Sequence, residues 1–301
     1  MTARASRPPR GFACCSDSPA AKPPTFARVD RFLLAGADGA PRYRIQVGVP
    51  AEPAPPGGYP AVFLLDGDAA MHALEAGGTG EAWAGVPASP VLAVAIGYDL
   101  AADEALAARA FDYTPSMAGE PAADPRVPAW RNGGADRFLD WIDLGLRPEV
   151  QRRYAVDPAR QTLCGHSYGG LCVLHALCSR PGGFNCYLAA SPSIWWREGF
   201  LLRNAELLAA RGRPVAAHVL LMVGDQEAWH ARPTGSDGTA ASRRGGDPTL
   251  PAVRQVASIL GRLPDLCVAF EAVPGGTHAT LPALAARRAL AFGGLHQGEG
   301  E

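Results

Sequence analysis

Ser167 stands in GHSYG (165–169), between a short apolar run, QTLCG (161–165), and a helix-like one, LCVLHALC (171–178). G-x-S-x-G between a strand and a helix is the setting of a nucleophilic serine. The turn is tight enough to strain the serine backbone and to stand its hydroxyl at the sheet edge. Gly165 and Gly169 lack the Cβ atoms that would clash there. Backbone N–H groups at the start of the next helix suit a developing oxyanion. The same five residues also read as a plain strand-to-helix turn with a serine N-cap.

A serine hydroxyl needs a base, and histidine is the usual one. Of seven histidines, His72 and His175 fall in helical stretches, His166 inside the turn, His218 at a strand start, and His230 and His296 in polar loop or tail. His278 differs: it follows PGGT (274–277), after the last apolar strand and before the last helix. That order places it at the same sheet edge as Ser167. An acid that orients the imidazole belongs after an intervening strand. HVLLMVG (218–224) is such a strand, and Asp225 and Glu227 follow it. The residues alone leave both open. Two oxyanion donors are needed. Tyr168 N–H supplies one, and LLDGDAA (64–70) offers a second near Gly67 or Asp68.

These groups need a frame that brings distant loops together. AVFLLDG (61–67), VLAVAIGYD (91–99), CYLAASPS (186–193) and HVLLMVG read as strands buried on both faces. YRIQVGVP (43–50) and LCVAFEAVPG (266–275) complete the strand set. Helical patterns intervene at 134–154, 171–178, 199–211, 251–262 and 281–293. In 134–154, Phe138, Trp141, Ile142 and Leu146 share one face. Segment 100–133 is rich in Ala, Pro and Asp, lacks a period, and reads as a long excursion or lid. The alternation predicts an α/β fold with a mostly parallel central sheet and helices on both faces. Such sheets bind ligands outside the carboxyl ends of their strands. One domain is expected over 25–295, with 1–24 as a flexible arm.

Hydrophobic residues make up 48% of the 301 and charged residues 19%, enough for a large core. A net charge of −1 without a long basic run gives no support to binding nucleic acid or an anionic membrane. Seven scattered cysteines without a CxxC argue against a disulfide framework and a zinc site. No metal or cofactor is expected. No stretch has the length of a membrane span. The N-terminal segment lacks the apolar run of a secretory signal. A cytoplasmic location is the expectation, with a periplasmic one as the alternative.

Taken together, FLLDGDAA (63–70), VAIGYD (94–99), RAFDYTPS (109–116), RQTLCGHSYGGLCVLHAL (160–177), YLAASPSIWW (187–196), LLMVGDQE (220–227) and PGGTHATLP (274–282) resemble the esterase D branch of the α/β-hydrolases, and within it the siderophore (enterobactin-type) esterases. The resemblance runs from about residue 30 to 290. It implies the α/β-hydrolase fold, with Ser167 as nucleophile, His278 as base and Glu227 rather than Asp225 as acid. It also implies Tyr168 and Asp68 as oxyanion donors and Arg109 as a substrate-pocket arginine. Trp195 and Trp196 offer flat surface for aromatic rings. The implied substrate is an ester of a small molecule, a catecholate siderophore trilactone, with any iron arriving as cargo. A general carboxylesterase or thioesterase, and a siderophore-binding protein without activity, are the alternatives. Asp68 departs from the asparagine often found at its position. Arg243 and Arg244, in the polar insert 231–247, read as solvated loop residues.

Overall fold

The computed structural model describes residues 26–37, 40, 42–77, 90–117, 121–227 and 249–295. The arm expected at 1–24 and the insert at 231–247 lie outside the described residues.

Eight strands form one sheet: β1 (Phe26–Leu34), β2 (Tyr43–Pro50), β3 (Tyr59–Leu64), β4 (Leu92–Tyr98), β7 (Val156–His166), β8 (Cys186–Ala190), β9 (Ala217–Gly224) and β10 (Leu266–Val273). Their spatial order is β1-β2-β4-β3-β7-β8-β9-β10. β1 with β2 and β2 with β4 pair antiparallel, and every pair from β4 to β10 is parallel. The continuous apolar runs follow from this arrangement. β3, β4 and β8 are buried along their whole length because helices cover both faces.

On one face lie α1 (Gly67–Glu75) and α8 (Leu281–Leu295), closing a core that includes Met71, Leu74, Ala285 and Ala289. The opposite face carries α2 (Ala102–Asp112), α3 (Ala135–Trp141), α4 (Arg147–Arg153), α5 (Tyr168–Ser179), α6 (Phe200–Ala210) and α7 (Thr249–Leu260). Among the described residues no helix is long and apolar enough to cross a membrane.

Two elements differ from the sequence pattern. Segment 100–133 is not a featureless excursion. It opens with the three-turn helix α2 and then forms a small hairpin from β5 (Ala122–Ala123) and β6 (Arg131–Asn132). The apolar positions of α2 are mostly alanines, which favour helix yet give no contrast for a period to show. The helix expected over 134–154 is interrupted by a π-turn at Ile142–Leu146. Pro148 has no N–H for the carbonyl four residues back, and Gly145 loosens the turn before it.

Candidate active site

Ser167 ends β7 and begins α5 with φ 58° and ψ −115°. L-residues rarely adopt this conformation, and its neighbours hold it there. Ser167 N–H donates to Ala190 O at 3.0 Å, and Ser167 O accepts Ser193 N–H at 3.1 Å and Leu171 N–H at 2.9 Å. A Cβ on Gly165 would lie 2.5 Å from the Gly169 backbone, so strand and helix meet only because residue 165 has none. The hydroxyl is buried but for 7% of the residue's surface.

His278 sits between β10 and α8. Its Nε2 is 3.1 Å from Ser167 Oγ and its Nδ1 is 3.3 Å from Glu227 Oε2. The loops carrying His278 and Glu227 are pressed together at Gly224, where a Cβ would meet Gly276 O at 2.2 Å. Glu227 Oε1 accepts the Ser191 hydroxyl and the Gly224 N–H. Burial alone would raise the Glu227 carboxyl, but bonds from His278, Ser191 and Gly224 outweigh it and hold the group below its ordinary range. Asp225 is exposed and takes a different role: its Oδ1 accepts Gly275 N–H at 2.8 Å, tying down the loop that leads to His278.

His166 lies against His278, with ring centroids 4.4 Å apart. Burial, then the neighbouring His278, push its pKa down to about 3, so it is a neutral wall for the imidazole. Ser193 Oγ stands 3.4 Å from Ser167 Oγ. Sequence reading passed over His166, Ser191 and Ser193. The two serines occupy SPS (191–193) at the end of the strand beside that of Ser167, a position that could have drawn attention to them.

The proposed oxyanion donors both stand at helix starts. Tyr168 is the first residue of α5 and Asp68 the second of α1, where N–H groups have no acceptor within the helix. The Asp68 carboxylate is taken by Gln46 Nε2 at 2.8 Å and Arg44 Nη1 at 3.2 Å. Asp66, the left-handed residue before α1, gives its N–H to the Tyr113 hydroxyl. Ala70 N–H bonds back to Asp66 O, so Gly67, Asp68 and Ala69 carry the N–H groups of this turn that have no acceptor within the helix.

The remaining candidates divide. Arg109 is bound from two sides to Asp66, with Nη2 2.7 Å from Oδ2, and its Nη2 also donates to His166 O at 3.1 Å. Trp195 is half-buried, its ring 5.9 Å from that of Tyr168. Trp196 corrects the expectation: it has no exposed surface, and its Nε1 donates to Asn132 Oδ1 at 3.2 Å. An indole enclosed on every side offers no face to a ligand, so Trp196 is core.

The geometry places a hydroxyl, an imidazole and a buried carboxylate in one hydrogen-bonded line beside two helix N-termini. Comparison with known proteins agrees in kind. A family model described as a putative esterase matches residues 40–244, a stretch that includes Ser167 and ends before His278. The chain is similar to the ferri-bacillibactin esterase of Bacillus subtilis, 35% identical over 198 residues, 62% of this chain and 67% of that one. It is also similar to the siderophore triacetylfusarinine C esterase of Aspergillus fumigatus, 41% identical over 188 residues, 59% of this chain and 60% of that one. Among solved structures, the BES protein from Bacillus cereus superposes with a TM-score of 0.70 at 25% identity, covering 90% of this chain and 97% of that one.

Proposed function

This chain belongs to the putative esterase family, an α/β-hydrolase-fold esterase related to known siderophore esterases, and from that premise we propose that it cleaves siderophore esters through an acyl-enzyme at Ser167. The observation that carries the reading is the 3.1 Å contact between Ser167 Oγ and His278 Nε2 on a left-handed elbow.

In this reading His278 Nε2 takes the hydroxyl proton as Ser167 Oγ attacks the ester carbonyl carbon. Glu227 keeps the Nδ1 proton in place and stabilises the imidazolium. Tyr168 and Asp68 N–H groups hold the oxyanion. Collapse expels the alkoxide, which receives the proton from His278. Water, deprotonated by the same imidazole, then attacks the acyl-enzyme and frees the acid. The substrate class is a catecholate trilactone, with iron as cargo.

A neutral-ester carboxylesterase is the second reading. It is favoured by one observation: Arg109, the arginine expected to meet an anionic substrate, is already neutralised by Asp66. The deciding experiment measures product release from ferric and iron-free tris-catecholate trilactone by the wild type beside Ser167→Ala. Serine-dependent cleavage of either is the expected result. Turnover of a nitrophenyl ester alone would keep the mechanism and discard the siderophore.

A further inference from the structure

Arg126 precedes β6 and lies across the first side chain of α5. Its guanidinium carbon is 4.0 Å from the centroid of the Tyr168 ring and 5.4 Å from that of Trp195. Stacking of this kind holds a guanidinium without neutralising it. Among the described residues no ion pair of Arg126 is found; its guanidinium bonds the Tyr168 hydroxyl, and its buried Nε has no hydrogen-bond partner. The neighbouring carboxylate is fully engaged elsewhere. Asp124 accepts the Tyr168 hydroxyl at 2.8 Å, Asn132 Nδ2 at 3.0 Å and the backbone N–H groups of Arg126 and Val127. Those bonds already fasten the hairpin to the elbow, so the arginine is not needed as a strut.

The place is close to the chemistry. Tyr168 follows the nucleophile in the chain. Trp195 is two residues beyond Ser193, whose hydroxyl approaches Ser167 Oγ. A partly buried cation is normally matched by an anion, and among the described residues none pairs with Arg126. A planar fork flanked by a half-exposed indole suits a ligand that has both a negative charge and an aromatic ring.

We propose that Arg126 and Trp195 form a subsite for an anionic aryl group beside Ser167. The inference rests on the esterase reading for its purpose, but its test needs no turnover. Binding is measured in Ser167→Ala protein by calorimetry, with 2,3-dihydroxybenzoate and its uncharged amide as probes. The anion is expected to bind about tenfold more tightly than the amide, since a charge-assisted bond is lost in the latter. Arg126→Met should remove that preference, and Arg126→Lys should retain part of it because the charge remains without the planar fork. Equal binding of the two probes to Ser167→Ala protein overturns the subsite, as does an Arg126→Met protein that folds and keeps the preference. If the Met variant fails to fold, the probe comparison still decides, because it leaves Arg126 in place. Failure of esterase activity appears in the turnover assay and leaves these binding results unaffected.

Discussion

The α2 flank of Ser167 and the hairpin flank treat their arginines differently. On α2, Arg109 is held by the Asp66 carboxylate and caps the His166 carbonyl, while the Tyr113 hydroxyl takes the Asp66 N–H. One turn further along, Asp112 accepts the hydroxyls of Tyr43 at 2.9 Å and Tyr98 at 3.1 Å. Every one of these bonds is internal, and together they fix the turn that presents the Gly67 and Asp68 N–H groups. On the hairpin, the acid is saturated by neutral donors, and Arg126 rests on the Tyr168 and Trp195 rings and bonds the Tyr168 hydroxyl. The lesson is that an arginine near a reactive serine is not for that reason a substrate arginine. What matters is whether the protein has already supplied its counter-charge.

The largest expected effect removes the centre that both flanks serve. His278→Ala should lower kcat/KM for any ester by more than about ten-thousand-fold. Glu227→Gln should cost about a thousand-fold or more, because the amide no longer stabilises the imidazolium, whereas Asp225→Asn should cost far less. Steady-state kinetics on one nitrophenyl ester rank all three, and an Asp225 effect as large as that of Glu227 would reverse their roles.

The next test separates the flanks. Arg109→Met leaves Asp66 without its partner and should lower unfolding free energy by about 2 kcal/mol. Arg126→Met loses stacking but also removes an unpaired buried donor, so its cost should stay within about 0.5 kcal/mol. Urea denaturation of both variants measures the difference, and equal losses would break the comparison.

The smallest expected effect concerns pH. Burial pushes the Asp112 carboxyl up to about 6, against the pull of the Tyr43 and Tyr98 hydroxyls and Arg137. Unfolded, the group titrates near about 4. Between those values the folded state binds more protons than the unfolded one, so this group's contribution to stability falls as pH rises through the window. Asp112→Asn should flatten that fall. Thermal melts at both ends of the window check it, and an unchanged slope would place the effect elsewhere.

What the sequence by itself determined were features set by neighbours in the chain. Gly-x-Ser-x-Gly between an apolar strand and an apolar helix specifies the strained elbow, because the sterics that require glycine act over a few residues. Continuous Val, Ile, Leu and Ala runs specify strands covered on both faces, and their alternation with helices specifies the parallel sheet. Chain order put His278 at the right edge. Local pattern misjudged α2, whose alanines carry no contrast, and the π-turn, where Pro148 acts on a carbonyl four residues away. Only the tertiary structure decided the pairings. Arg109 finds Asp66 across 43 residues of chain, and Trp196 is enclosed while Trp195 is not, whereas Glu227, which meets His278 across 51, was already preferred to Asp225 by the family resemblance. Such contacts depend on side-chain reach and on which charges remain uncompensated once the layers close, quantities that no spacing in the chain encodes.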